Sequence, residues 1–270
     1  MRRDLTDKVI LITGASSGIG AATAMACARA GMRVSLVARR ADKLEATARA
    51  IAPLGHEPHV FAADVGDAVQ LQQAVDDCWE TFGRLDAVFA NAGYGQLVRV
   101  VEMTDADERA MFETNYFGTS LTLRLAVPRL RATPDGLRHV LVCSSAASEI
   151  GVPMLGVYSA TKAAQDSIAS AMRAELYDEG FSVTSVHPIG TKTDFMAVAG
   201  DAEIDNTPAA FQQTPEYVAR CVVRALKRPK PEVWPSVMTR VALAMGTLCP
   251  RFAAWVMRRH YRKIAPKAKA

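Results

Sequence analysis

No run of apolar residues in the 270-residue chain is long enough to span a bilayer. No secretory leader is visible either: Met1-Arg2-Arg3 is basic, but the apolar stretch at 9–12 is too short for a signal core. Cysteine is scarce and unpatterned. Cys27, Cys78, Cys143, Cys221 and Cys249 are odd in number and form neither a CxxC pair nor a His/Cys cluster, so the sequence supports no disulfide framework and no zinc site. Thiols of this kind suit a reducing interior as small apolar side chains, and the expected location is cytoplasmic. Linker-like tracts and solenoid repeats are also missing. Acid is absent from one region: residues 233–270 hold eight Lys or Arg and no Asp or Glu. The body is therefore mildly acidic and the tail basic, an asymmetry that the net charge of +4 conceals.

What is present is the balance of a globular chain, 50% hydrophobic and 22% charged. Short β-rich apolar runs at 8–13, 34–38, 59–63, 85–90, 139–143 and 182–186 alternate with helical stretches. The helices read at 21–30, 42–51, 67–82, 105–131 (with Pro128 near its last turns) and 163–177. A last strand is expected near residues 233–234. Strands alternating with helices of this length predict an α/β fold, a doubly wound parallel sheet of about seven strands covered on both faces. Residues 1–235 read as one domain, 190–214 as an insertion where ligands enter such sheets, and 236–270 as an apolar and basic extension.

The first strand runs into Gly14-Ala15-Ser16-Ser17-Gly18-Ile19-Gly20 and then into a helix. A glycine-rich turn there sets backbone N–H groups and a helix N-terminus against a pyrophosphate, which makes Gly14, Ser16, Ser17, Gly18, Ile19 and Gly20 candidate cofactor residues. After the second strand an acidic residue would take the ribose 2′-hydroxyl of NAD, whereas arginine suits the 2′-phosphate of NADP. The chain has Arg39-Arg40 there and no carboxylate before Asp42, so NADP(H) is expected over NAD(H). The competing explanation is a pair of solvated arginines at a helix entry.

Tyr158 and Lys162 stand four residues apart, on one face of a helix. A free phenol ionises at a pKa of about 10 and shuttles protons poorly near neutrality. A lysine cation one turn away favours the phenolate and makes the tyrosine a usable acid or base.

Taken together, Thr13-Gly14-xxx-Gly18-Ile19-Gly20, Asp64-Val65, Asn91-Ala92-Gly93, Asn115, Ser145, Tyr158-xxx-Lys162 and the stretch 188–193 resemble the short-chain dehydrogenase/reductase family over residues 5–235. The resemblance implies a Rossmann-like NADP(H)-dependent oxidoreductase moving hydride between the nicotinamide and a carbonyl/alcohol pair. It implies that Tyr158 exchanges a proton with the substrate oxygen and that Ser145 donates a hydrogen bond to that oxygen. Lys162 would hold the ribose hydroxyls and depress the tyrosine pKa, and Asn115 would anchor a water relay. Asp64 and Val65 would face the adenine, and Asn91, Ala92 and Gly93 the adjoining ribose. Pro188, Ile189, Thr191 and Thr193 complete the cofactor set. Ile189 stands where the family usually has glycine. Ser144 and Ser145 point to opposite faces of a strand, and the gap of thirteen residues to Tyr158 selects Ser145. A homodimer or homotetramer is implied as well.

Ile150, Val152, Met154, Leu155 and Val157, with Phe195, Met196 and Phe211, could line a pocket for a lipophilic ketone, aldehyde or alcohol or could be core. In the tail, Met238, Val241, Met245 and Leu248 recur at helical spacing up to Pro250. Phe252, Trp255 and Val256 share a second helix with Arg251, Arg258, Arg259 and Arg262. A membrane-surface contact and a helix packed on protein both fit this pattern. Rival functions are a non-catalytic nucleotide sensor or scaffold and a reductase of carrier-bound acyl chains.

Overall fold

Strand period decides which layer each side chain joins. In β1 (Val9–Thr13) every residue is buried, with Ile10 and Ile12 on one face of the sheet and Val9 and Leu11 on the other. The computed structural model describes residues 2–55, 57–191 and 212–264. Their strands are β1, β2 (Arg33–Ala38), β3 (His59–Ala62), β4 (Ala87–Ala90), β5 (His139–Cys143), β6 (Ser182–Val186) and β7 (Glu232–Val233). All pair in parallel, in the order β3-β2-β1-β4-β5-β6-β7. The helices are α1 (Gly18–Arg29), α2 (Ala41–Ile51), α3 (Ala68–Phe82), α4 (Asp105–Phe112), α5 (Gly118–Ala132), α6 (Gly156–Glu175), α7 (Pro215–Lys227), α8 (Val237–Leu248) and α9 (Pro250–Ile264). Helices α1, α2 and α7 cover one face of the sheet, and α3, α5 and α6 the other. No described helix is long and apolar enough to cross a membrane.

Two departures from the expected elements matter for the site. The single helix expected over 105–131 is interrupted by a π-helical turn, Glu113–Phe117, which joins α4 to α5. One extra residue per turn swings Asn115 inward, and it is fully buried. The Tyr158 helix starts at Gly156 instead of 163, so Tyr158 and Lys162 lie in its first two turns. Helix α7 is additional to the elements expected from the sequence; Thr214 caps it, accepting from the Tyr217 N–H at 3.2 Å, and Pro215 opens it.

Buried polar groups fix the strand ends beneath the site. Asp86, fully enclosed, accepts from the Val9 N–H at 2.8 Å and from Arg84 Nε and Nη2 at 2.7 Å each, which ties β1 to the segment entering β4. His139 joins β5 to β6 through Thr184 Oγ1 at 2.9 Å. Burial, with Arg3 nearby, pulls the His139 pKa from 6.5 to about 3. A histidine depressed in the folded state contributes stability that is present above pH 6.5 and lost as pH falls toward 3. Between pH 7 and pH 5 the wild type should lose about 2 kcal/mol more stability than His139→Asn in denaturant unfolding. Equal losses would show that another group governs the acid transition.

Candidate active site

The carboxyl ends of β1 and β4 are where the connections diverge to opposite faces, so a crevice opens between them. Asn91 staples its floor: Nδ2 donates to the carbonyls of Thr13 at 3.0 Å and Gly14 at 3.3 Å. Thr13 Oγ1 accepts in return from the N–H groups of Asn91 and Ala92. Gly14 and Gly18 have φ of +66° and +56°, backbone that favours glycine. A Cβ at Gly20 would run into the Gly14 carbonyl and the Asn91 carboxamide, so Gly20 serves close packing of helix on turn.

The resulting cleft, ≈ 290 Å³, is walled by Gly14, Ser16, Ser17, Gly18 and Ile19, by Arg39 and Arg40, by Asp64 and Val65, and by Asn91, Ala92 and Gly93. Tyr158, Lys162 and Pro188 close it. These come from the whole length of the body, and the sequence reading named every one. The walls also include Ala38, Ala63, Tyr94, Thr114, Cys143 and Ser144, which it did not assign to the cofactor. Gly20, Asn115, Ser145, Ile189 and Thr191 are not wall residues. Ile189 N–H donates to Gln213 Oε1 at 3.2 Å, and Thr191 bridges Gln213 in parallel. Thr193, Phe195, Met196 and Phe211 lie outside the described residues.

The two arginines occupy different places. Arg40 Nη2 donates to Ser17 Oγ at 2.9 Å and Ser16 Oγ at 3.2 Å, at the mouth of the glycine turn. Arg39 Nη1 lies 3.6 Å from Asp64 Oδ2.

Four polar residues gather at the inner end. The Ser145 hydroxyl is hydrogen-bonded to Tyr158 and accepts from the Ala147 N–H at 3.1 Å. Lys162 is buried, its Nζ donating to the Cys143 carbonyl at 2.7 Å and lying 5.6 Å from the Tyr158 ring centroid. Asn115 Nδ2 donates to Tyr94 O at 2.8 Å and Thr161 Oγ1 at 3.0 Å, and its Oδ1 accepts from the Tyr94 N–H at 2.9 Å. Gln165 Nε2, unforeseen, donates to the Asn115 carbonyl at 2.5 Å. The two serines diverge as strand alternation requires: Ser144 forms part of the cleft wall, yet its hydroxyl donates to Asp166 Oδ2 at 2.8 Å.

One electrostatic expectation needs correction. Burial pushes the Tyr158 phenol well above its ordinary pKa, and the hydrogen bond from Ser145 is what opposes that rise. Lys162 is itself pulled down by burial, with Cys143 and Asp166 acting the other way. A cation that pays its own desolvation penalty and points at a carbonyl does little to ionise its neighbour. Around Tyr158 the surroundings therefore favour the neutral phenol over the phenolate.

Residues 8–203 match the family described as short chain dehydrogenase. The chain belongs to that family. It is 30% identical over 259 residues to dehydrogenase/reductase SDR family member 7B of Xenopus tropicalis, covering 91% of this chain and 83% of the relative. An alcohol dehydrogenase from the archaeon Thermococcus sibiricus, solved with 5-hydroxy-NADP, superposes with a TM-score of 0.75 at 30% identity, over 84% of this chain and 95% of that one. A short chain dehydrogenase from Mycobacterium paratuberculosis bound to NAD gives 0.76 at 27% identity, over 86% and 97%. The seven-stranded sheet is thus the Rossmann-like fold of an oxidoreductase family, and a nicotinamide cofactor belongs with it.

Replacing Gly20 with alanine should push the Gly14 turn away from Asn91. We expect Gly20→Ala to weaken reduced-nicotinamide binding at least about tenfold by fluorescence titration, since backbone approach at such turns is what the glycines serve. Unchanged affinity would show that the turn tolerates the shift.

Proposed function

We propose that the protein is an NADP(H)-dependent carbonyl reductase of lipophilic ketones or aldehydes, with Tyr158, Ser145, Lys162 and Asn115 as its working residues. The observation that carries this reading is that Tyr158 and Lys162 wall the same cleft as the glycine turn and the two arginines, with the Ser145 hydroxyl against the phenol. The bound dinucleotide would supply the hydride, and the chain the proton, the orientation and the field.

Each residue's part follows from its surroundings. Tyr158, held protonated by burial, is suited to give its proton to an oxygen that gains negative charge. Ser145, placed beside that phenol, can donate to the same oxygen as charge develops. Lys162 has further N–H groups beyond the one on Cys143, facing the Gly93 side of the cleft, where ribose hydroxyls would be held. Asn115's carboxamide is engaged by Tyr94 and Thr161 and its main-chain carbonyl by Gln165, so a water relay would use the second lone pair of that carbonyl. Support for NADP comes from Arg40 beside Ser16 and Ser17, a cation and two hydroxyls able to meet a phosphate together. Support for an apolar substrate comes from Ile150, Val152, Met154 and Leu155, which are only partly buried on the segment leading into α6; Val157 belongs to the core. We take residues 1–235 as the catalytic domain and 236–270 as an extension.

A panel of steroid, retinoid, acyl and small carbonyls, followed by loss of reduced-nicotinamide absorbance, tests the reading. We expect turnover with a lower KM for NADPH than for NADH, and loss of that preference in Arg40→Asp and Arg39→Asp. Ser145→Ala should lower kcat about 10²–10³-fold, the scale of losing one oxyanion donor, with Ser144→Ala staying under tenfold. A preference for NADH, or equal effects of the two serines, refutes the corresponding assignment.

We further propose that the extension lies on an anionic lipid surface. None of α8 is buried, and Val237, Met238, Val241, Met245, Leu248, Phe252 and Trp255 are exposed on a segment carrying base and no acid. Arg259 rides over the Trp255 ring at 5.7 Å, leaving its charge beside an exposed aromatic. Liposomes rich in anionic lipid should co-sediment the full chain and leave a version ending at Pro235 in solution; equal partitioning removes the idea. Assembly into a homodimer or homotetramer, with the half-exposed Phe117 as an apolar contact, is proposed alongside.

A further inference from the structure

We propose that Asp166 is a positioning residue for Ser145, acting through Ser144 and His187. The inference rests on the reading that Ser145 and Tyr158 carry out the chemistry, and it adds what holds Ser145 in place.

Asp166 sits one turn beyond Lys162 on α6, on the same helix face. Its Oδ2 accepts from the Ser144 hydroxyl at 2.8 Å and lies 3.6 Å from His187 Nδ1. That same Nδ1 lies 3.4 Å from the Ser145 carbonyl oxygen. Both neighbours are acceptors, so the imidazole proton belongs on Nδ1, where it faces the carboxylate and the Ser145 carbonyl at once. The ring cannot swing away, because it stacks on Trp234 at 4.2 Å and 4°. On the far side the Ala146 N–H donates to the Pro188 carbonyl at 2.9 Å. Ser145 is thereby braced before, at and after its own position: by the Ser144 side chain, by its carbonyl and by the next amide.

The choice of a carboxylate for this place is costly in packing terms. Oδ1 of Asp166 is buried with no hydrogen-bond partner, and so is Nε2 of His187. Among the described residues Asp166 has no Lys or Arg ion pair. The charged or titratable groups around it are Lys162 on α6, Cys143 at the end of β5, Glu149 beyond Ser145 and His187 after β6. A side chain serving only to fill space would not leave two polar atoms stranded beside the catalytic strand end. One serving to hold an acceptor at a fixed point would.

The test is a double-mutant cycle on the full chain with NADPH and the best carbonyl of the panel. Asp166→Asn should lower kcat about tenfold, the cost of a small misplacement at a reacting centre, with the NADPH dissociation constant by fluorescence unchanged. In a Ser145→Ala background the same substitution should cost less than about twofold. An undiminished tenfold cost in that background, or a matching loss of NADPH affinity, overturns the proposal, because Asp166 would then act through Lys162 or the fold. Ser144→Ala, which removes a single hydroxyl, repeats the cycle if Asp166→Asn does not fold: a cost of a few-fold that vanishes beside Ser145→Ala supports the brace, and no cost overturns it. Glu149, Asp166 and His187 offer donor atoms within 4.8 Å of one another. Activity lost to EDTA and restored by Zn²⁺ would therefore make the trio a metal site and overturn the brace. A wild type inactive on every carbonyl sinks the parent reading as well, whereas an active one with additive costs sinks this proposal alone.

Discussion

The site depends first on one carboxamide at the place where the parallel sheet parts. After β1 the chain turns to one face and after β4 to the other, which leaves the carbonyls of Thr13 and Gly14 without the ladder partners that a continuing strand would provide. Asn91 supplies donors to both, and Thr13 returns an acceptor to two amides of the β4 end. With the two strand ends locked together, Gly14 can take its left-handed turn and α1 can begin hard against it. The cleft is the space left over once those backbone groups have been satisfied.

At the inner end the controlling quantity is desolvation. A lysine and a tyrosine withdrawn from water each resist their charged forms, so both favour neutrality: the phenol keeps its proton and the ammonium is easier to strip. The fold answers both tendencies with polar neighbours. A carbonyl from Cys143 and a carboxylate from Asp166 face Lys162, and the Ser145 hydroxyl meets Tyr158. The two shifts thus share one cause, burial, and meet different local answers: an acceptor and a carboxylate for the cation, a hydroxyl for the phenol.

How much of this is legible in the sequence depends on where the information lies. The sheet is legible because strands buried on both faces must be apolar throughout, as residues 9–13 and 139–143 are. The glycine turn and the arginines are legible because a phosphate needs backbone amides and cations at such a strand end, whereas Asp64, Asn91 and Pro188 came only from the family resemblance. The π-turn is not: its extra residue leaves the periodicity of 105–131 nearly intact, and what it changes is the direction of Asn115. Gln165 and Asp166 were hidden for a related reason. They follow Lys162 on a helix with no local signal distinguishing a buried polar face from a solvated one, and only the fold brings them against Asn115 and Ser144. Helix α7 does carry a local signal, Thr214 and Pro215 ahead of an amphipathic stretch, directly after the long insertion.

The adjacent arginines show the same limit at the other end of the cleft. In sequence Arg39 and Arg40 are interchangeable cations. In space the chain turns between them into α2, with Arg40 as the residue before its first turn, so their side chains part. Arg39 is drawn to the carboxylate of Asp64, which partly neutralises it. Arg40 meets the hydroxyls of Ser16 and Ser17, which fix its planar fork against the glycine turn. Two neighbours in sequence thus serve different strand ends: Arg40 is tied to the turn after β1 and Arg39 to the segment after β3, and the direction each side chain takes is set by the backbone turn into α2 between them.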